Sequence, residues 1–176
     1  MSFWPNFCRD LSRIREIKKK GAWRTFLESI LFDSGFQALA AYRMGSSFRE
    51  WGWPVLPAVF RRWAIGSCGV DILPQARIGG GCYIAHGLGL VVGGTTVIGE
   101  DCTLLQGVTL GEARFSEDAC PHIGDRVTIG AHAIVLGRIS VGDDAFIGAG
   151  AVVLEDVPAA SLAVGAPART RPLADA

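Results

Sequence analysis

The chain has 176 residues, 49% of them hydrophobic, with 17 Lys/Arg against 17 Asp/Glu for a formal net charge of +0. This length suits one compact unit with a modest accessory segment. The neutrality hides a division: residues 1–70 hold eleven Lys/Arg against five Asp/Glu, and residues 71–176 hold six against twelve. An acidic second part without a basic stripe makes nucleic acid a poor partner.

In chain order, the first residues MSFWPNFCRDLSRIREIKKK contain no apolar run followed by a small-residue cleavage site, so no signal peptide is expected. Phe7 to Lys20 places Phe7, Leu11, Ile14 and Ile17 on one helix face. Gly21 ends it, and Ala22 to Phe32 reads as a second helix. GFQALAAYRMGSSFREW reads as a third and WPVLPAVFRRWAIG as a short fourth, interrupted by Pro54 and Pro57. Residues 1–70 are therefore expected to form an α-helical N-terminal subdomain. Its tryptophans Trp23, Trp51, Trp53 and Trp63 are read as packing within it, although tryptophan also suits a membrane-interface belt. Its basic excess suits an anionic membrane surface, with solvated helix faces as the simpler explanation. No stretch approaches the ~18 apolar residues needed to span a bilayer.

From residue 71 an aliphatic returns every sixth position: Ile72, Ile78, Ile84 and Leu90, then Ile98, Leu104 and Leu110, then Ile123, Ile129, Val135, Val141, Ile147 and Val153. Small residues such as Ala76, Cys82, Cys102, Ala133, Ala145 and Ala151 follow four positions later. Neither a helix nor a simple strand has this period. A parallel β-helix does, each hexapeptide forming one side of a coil with its aliphatic turned inward. The second unit, 71–176, is thus mainly β, with a loop at 111–122 where the beat stops and a short C-terminal tail. The five cysteines form no C-x-x-C pair. Cys82 and Cys102 read as small core residues, and a reducing, cytoplasmic compartment is expected.

These residues resemble the hexapeptide-repeat acyltransferases and, within them, the serine acetyltransferase family, over about 26–171. FLESILFDSGFQALAAYRMG is similar to that family's last N-terminal helices, GVDILPQARIGGGCYIAHGLGLVVGGTTVIGEDCTLLQGVTLG to its first coils, and VGAPART to its closing motif. The resemblance implies a left-handed coil, a homotrimer with sites between subunits, and acetyl-CoA as donor. His86 matches the family's general base and Asp71, fifteen residues earlier, the carboxylate that pairs with it. Imidazole suits removal of a hydroxyl proton near neutral pH, and a carboxylate can hold its tautomer. For CoA the resemblance points to Gly111, Ala131, Ala149 and Arg169.

The departures concern the acceptor. Where the family has an aspartate before the base, this chain has Ala85. Where it has Arg-His-Pro, this chain has Ala119-Cys120-Pro121, and an earlier Asp-Pro corresponds to Lys20-Gly21. The run ACPHIGD resembles instead the serine acetyltransferase-like enzymes of exopolysaccharide and capsule synthesis. His122 is a candidate for binding or polarising the acceptor, and Cys120 for a small loop residue beside it. A sugar hydroxyl is accordingly the first expectation for the acceptor. Serine O-acetylation for cysteine synthesis is the alternative, and a non-catalytic β-helix scaffold the third. The tail PLADA lacks the extension with which the family docks into cysteine synthase, so no such docking is expected. The three histidines, His132 among them, match no ligand spacing, so no metal is expected.

Overall fold

The computed structural model describes residues 3–19, 21–114 and 119–173. Four helices come first: α1 (Phe3–Lys18), α2 (Ala22–Phe32), α3 (Ser34–Glu50) and α4 (Leu56–Cys68). Helix α1 begins four residues before the expected Phe7, because Pro5 sits in its first turn, where no N–H is missed. Helix α4 is not interrupted as expected. Pro54 precedes it and Pro57 lies in its first turn, while Gly69, at φ 66°, closes it in the left-handed conformation. Asp33 ends α2 and caps α3, its carboxylate accepting from the Phe36 amide at 3.1 Å.

Fifteen short strands follow among the described residues: β1 (Asp71–Ile72), β2 (Arg77–Ile78), β3 (Tyr83–Ala85), β4 (Val91–Val92), β5 (Val97–Ile98), β6 (Thr103–Leu105), β7 (Thr109–Gly111), β8 (His122–Ile123), β9 (Thr128–Ile129), β10 (Ile134–Leu136), β11 (Ser140–Val141), β12 (Phe146–Ile147), β13 (Val152–Val153), β14 (Ser161–Gly165) and β15 (Ala168–Pro172). They wind into a parallel β-solenoid. The first sheet is β1-β4-β7-β10-β13, the second β11-β8-β5-β2, and the third β15-β14-β12-β9-β6-β3. Only the final β14–β15 pair is antiparallel among these ladders.

The repeat's aliphatics stack in columns. Ile78, Ile98, Ile123 and Val141 share one, and Ile84, Leu104, Ile129 and Ile147 another. Ile72, Val92, Leu110, Val135 and Val153 make the third. Val92 holds the place expected for Leu90, which is buried nonetheless. The reason is local: the corner between β3 and β4 is two residues longer than the corner between β6 and β7. His86 sits in that longer corner. Burial pushes the Cys102 thiol up to about 11 and that of Cys82 well above the usual range, as befits core residues.

The helices close the open end of the first coil. Gly35 of α3 lies so near the Ile84 carbonyl that a Cβ there would collide with it. Tyr42 donates to the Ala76 carbonyl at 2.7 Å. Arg43 donates to the carbonyls of Ile78 and Gly79 at 3.1 and 2.7 Å. Its guanidinium also grips Asp10 of α1 at 2.5 and 2.9 Å, both residues being buried. Asp10 in turn accepts from the Cys82 amide at 3.1 Å. Burial raises the Asp10 carboxyl above its ordinary range, with Arg43 pulling the other way. The tryptophans pack only in part: Trp23 meets Phe26, and Trp51 and Trp53 meet Phe48, yet all five tryptophans remain between 47% and 72% exposed.

Candidate active site

The corner that carries His86 joins the third sheet to the first. Ile84 is fixed in the core and Gly87 fits against Ile84 and Val70, so the chain must turn outward between them, at His86. His86 does so with φ 57°, in the left-handed region, and is exposed. Around it lies a cavity of about 440 Å³ lined by Lys18, Glu28, Phe32, Asp33, Ser34, Tyr83 and His86. The helices provide five of these residues and the coil two. Lys18 bonds Asp33 at 2.6 Å, and Arg24 bonds Glu28 at 2.7 Å. Charges of both signs therefore stand beside the imidazole. The charged residues replaced at Ala85 and Ala119-Cys120 are still absent, but the helices bring others, which the sequence hides because all three ionic residues precede His86 by more than fifty positions.

Asp71 begins β1, and its amide donates to the Leu90 carbonyl at 2.9 Å, just beyond the His86 corner. Both residues thus border the β1–β4 seam. No hydrogen bond joins them among the described residues. The Asp71 carboxylate is instead forked by Arg61 of α4, at 2.6 and 2.8 Å. Arg61 was not singled out from the sequence, where it is one of several helical cations. Ala85, last in β3, places a methyl beside His86 and no charge.

Ala131 and Ala149 lie at the next but one and the following equivalent corners, above the His86 corner. The edge is stitched by Gly107 N to Leu88 O, His132 N to Gln106 O, and Gly150 N to Ala131 O, at 2.8 to 3.0 Å. With strands ~4.8 Å apart, Ala131 and Ala149 stand roughly 10 and 14 Å along this edge from His86. His132 belongs to the same edge and packs against Gly107. Gly111 ends β7 on the first sheet, paired with Leu136, and Arg169 is exposed on β15 of the third.

The structure does not bring His122 and Cys120 to the His86 cavity within one chain. His122 is exposed on β8, in the second sheet, in register with Val97. Cys120 is buried, its sulfur close to Gly93 and its amide donating to Thr95 Oγ1 at 3.2 Å. It is a packed loop residue without access to an acceptor in the single chain. Lys20, loop residues 115–118 and the tail end 174–176 lie outside the described residues. Among the described residues no group of three His, Cys, Asp or Glu could hold a metal. No described helix is long and apolar enough to cross a membrane.

Residues 120–155 match the family model for the bacterial transferase hexapeptide (six repeats). The serine acetyltransferase of Helicobacter pylori strain J99 is 43% identical over 157 residues, covering 89% of this chain and 92% of that protein. That of Salmonella typhimurium is 45% identical over 141 residues, 80% of this chain and 52% of the relative. Among solved structures, Neisseria gonorrhoeae serine acetyltransferase in complex with serine superimposes with a TM-score of 0.88 at 36% identity, over 96% of this chain and 69% of that one. Another structure of the neisserial enzyme is matched over 64% of its length, so the chain is shorter than several of its relatives. None of these relatives bears the name of an exopolysaccharide enzyme, so the finer kinship read from ACPHIGD gains no support from them. A relative this similar over nearly its whole length shows that the chain belongs to the serine acetyltransferase family of hexapeptide-repeat acyltransferases.

Proposed function

We propose that this protein is an acetyl-CoA-dependent O-acetyltransferase whose acceptor is a small zwitterion of the L-serine type. The observation that carries this reading is the cavity at His86, where Lys18, Glu28 and Asp33 offer both signs of charge. A zwitterion entering a groove must exchange water for partners at both its ends, and here such partners exist. His86 takes the proton from the acceptor hydroxyl as its oxygen attacks the thioester carbonyl carbon. The C–S bond then breaks, and the departing CoA sulfur receives the proton back from His86. Acetyl-CoA would lie along the edge marked by Ala131 and Ala149, where small side chains let its pantetheine arm approach backbone, with Gly111 and Arg169 as further contacts. A homotrimer would bring a neighbour's second sheet, with His122, against this edge.

Asp71 can orient the base only if the imidazole turns toward it, since no hydrogen bond joins them in the single chain; Arg61, which forks the Asp71 carboxylate, would then be its positioning residue. Arg61→Gln should lower kcat about 10-fold while KM stays near wild type, with some loss of thermal stability as well, since a charged hydrogen bond contributes ~1.5–3 kcal/mol. Arg61→Lys should restore only part of the rate, because an ammonium cannot fork both oxygens. A wild-type kcat in Arg61→Gln would remove Arg61 from the mechanism.

The acceptor is tested by following CoA thiol release with L-serine beside a panel of sugars and oligosaccharides. L-Serine should saturate the enzyme, and Glu28→Gln should raise its KM roughly 10- to 100-fold through loss of a charged contact. A second reading, a sugar hydroxyl of exopolysaccharide or capsule, is favoured by Ala85 and Ala119-Cys120-Pro121, which bring no charge of their own. Sugar acetylation with L-serine inert would establish it. Inertness toward every acceptor and toward acetyl-CoA itself would favour the scaffold.

A further inference from the structure

The helical segment presents an apolar surface that the active site does not use. An open groove of about 470 Å³ is bordered by Phe3, Trp4, Phe48 and Trp51, with Ser47 and Glu50 at its edge, and a second of about 550 Å³ by Phe7, Val59, Phe60 and Trp63. Met44 lines both, so they form one continuous patch across α1, α3 and α4. A contiguous exposed apolar patch rimmed by charged residues is a candidate interaction site. We propose that this patch docks the protein onto an anionic lipid surface.

Two observations choose this occupant. All the tryptophans of the chain lie in residues 1–70, and all are exposed. Tryptophan is the side chain best suited to the boundary between headgroups and acyl chains, where its ring is buried and its N–H stays wet. The second is charge. The same residues carry eleven Lys/Arg against five Asp/Glu. Of those acids, Asp10 is buried on Arg43, Asp33 is held by Lys18 and Glu28 by Arg24, which leaves Glu16 and Glu50 as the exposed ones. Arg15, Lys19, Arg49 and Arg62 are exposed and make no ion pair among the described residues; Arg49 and Arg62 lie within two residues of Trp51 and Trp63. A second copy presenting the same face would set one +6 segment against another, whereas an anionic bilayer complements it. With no described helix able to span a bilayer, the segment would lie in the interface plane.

The test is sedimentation of the full chain with vesicles of phosphatidylcholine alone and of equimolar phosphatidylcholine and phosphatidylglycerol. The mixed vesicles should bind at least about tenfold more protein at low salt, since each cation near the surface adds to the attraction. The tryptophan emission should shift to shorter wavelength on binding. The preference should fade at 1 M salt, where the screening length is ~3 Å. Arg15→Glu/Arg49→Glu/Arg62→Glu should abolish the preference for the anionic lipid, and Trp4→Ala/Trp51→Ala/Trp63→Ala should abolish binding. Both variants alter exposed side chains, and an unchanged circular dichroism spectrum and oligomeric mass would show that they fold. Failure to bind either vesicle overturns the proposal, as does equal binding to both that survives charge reversal. A concentration-dependent dimer that the tryptophan variant dissolves, with no vesicle binding, would assign the patch to a second copy instead.

Discussion

Replacing His86 is expected to lower kcat by roughly 10²–10⁴-fold, the range lost with a positioned general base, while acetyl-CoA still binds. The physical reason lies in the corner that holds it. An alcohol is a weak nucleophile until its proton is taken, and His86 is the imidazole that opens onto the charged cavity. The other two cannot take over within one chain. His122 stands on the second sheet, and His132 is packed against Gly107 two corners away. Because His86 has φ 57°, alanine there adds backbone strain to the loss of the base. His86→Asn is the cleaner variant, since asparagine tolerates this conformation and provides no base. Steady-state thiol release, with donor binding measured by calorimetry, separates the two effects. Wild-type turnover in His86→Asn would move the base elsewhere.

The second large effect is structural. Asp10→Ala should destabilise the protein by ~3–5 kcal/mol, because it leaves the Arg43 guanidinium buried without its counter-charge. For a domain stabilised by ~5–15 kcal/mol this is a major fraction. Asp10 also accepts the Cys82 amide, so the substitution unties α1 from both α3 and the first coil. Asp10→Asn keeps an acceptor for that amide and should be milder. The double variant Asp10→Leu/Arg43→Met should recover only part of the loss, since it removes the unpaired charge but leaves the Cys82 amide and the Ile78 and Gly79 carbonyls without these partners. Urea unfolding midpoints check the series. Identical midpoints for Asp10→Ala and wild type would show that the pair contributes nothing net.

The hexapeptide beat was legible because burial repeats: each stacked aliphatic is almost fully enclosed, and any other side chain there would leave a void or an unpaired polar group. The frame slipped at Leu90 because both Leu90 and Val92 are buried, and only strand register tells which one stacks. Pro57 was read as a breaker because its place in the first turn depends on where α4 starts. His86 and Asp71 could be picked out by their short motifs. Their surroundings could not. Lys18, Glu28 and Asp33 look like ordinary helix-surface charges until α3 docks on Ile84 and swings them over the corner, and Arg61 reaches Asp71 only through the turn at Gly69. The tryptophans misled because a single residue's apolarity does not state which way it faces.

The seam between helices and coil at His86 also separates the proposed base from the charges that would select its acceptor. The rung that holds His86 is the first of the solenoid, locked by the next rung on one side and by the docked α3 on the other, so it tolerates little drift. The residues that face it, Lys18, Glu28, Phe32, Asp33 and Ser34, sit on a segment with no such repeat to keep. A lineage could therefore change what it modifies by rewriting that stretch alone, leaving its chemistry inherited intact. Grafting the stretch from one relative onto the solenoid of another would turn that history into an experiment.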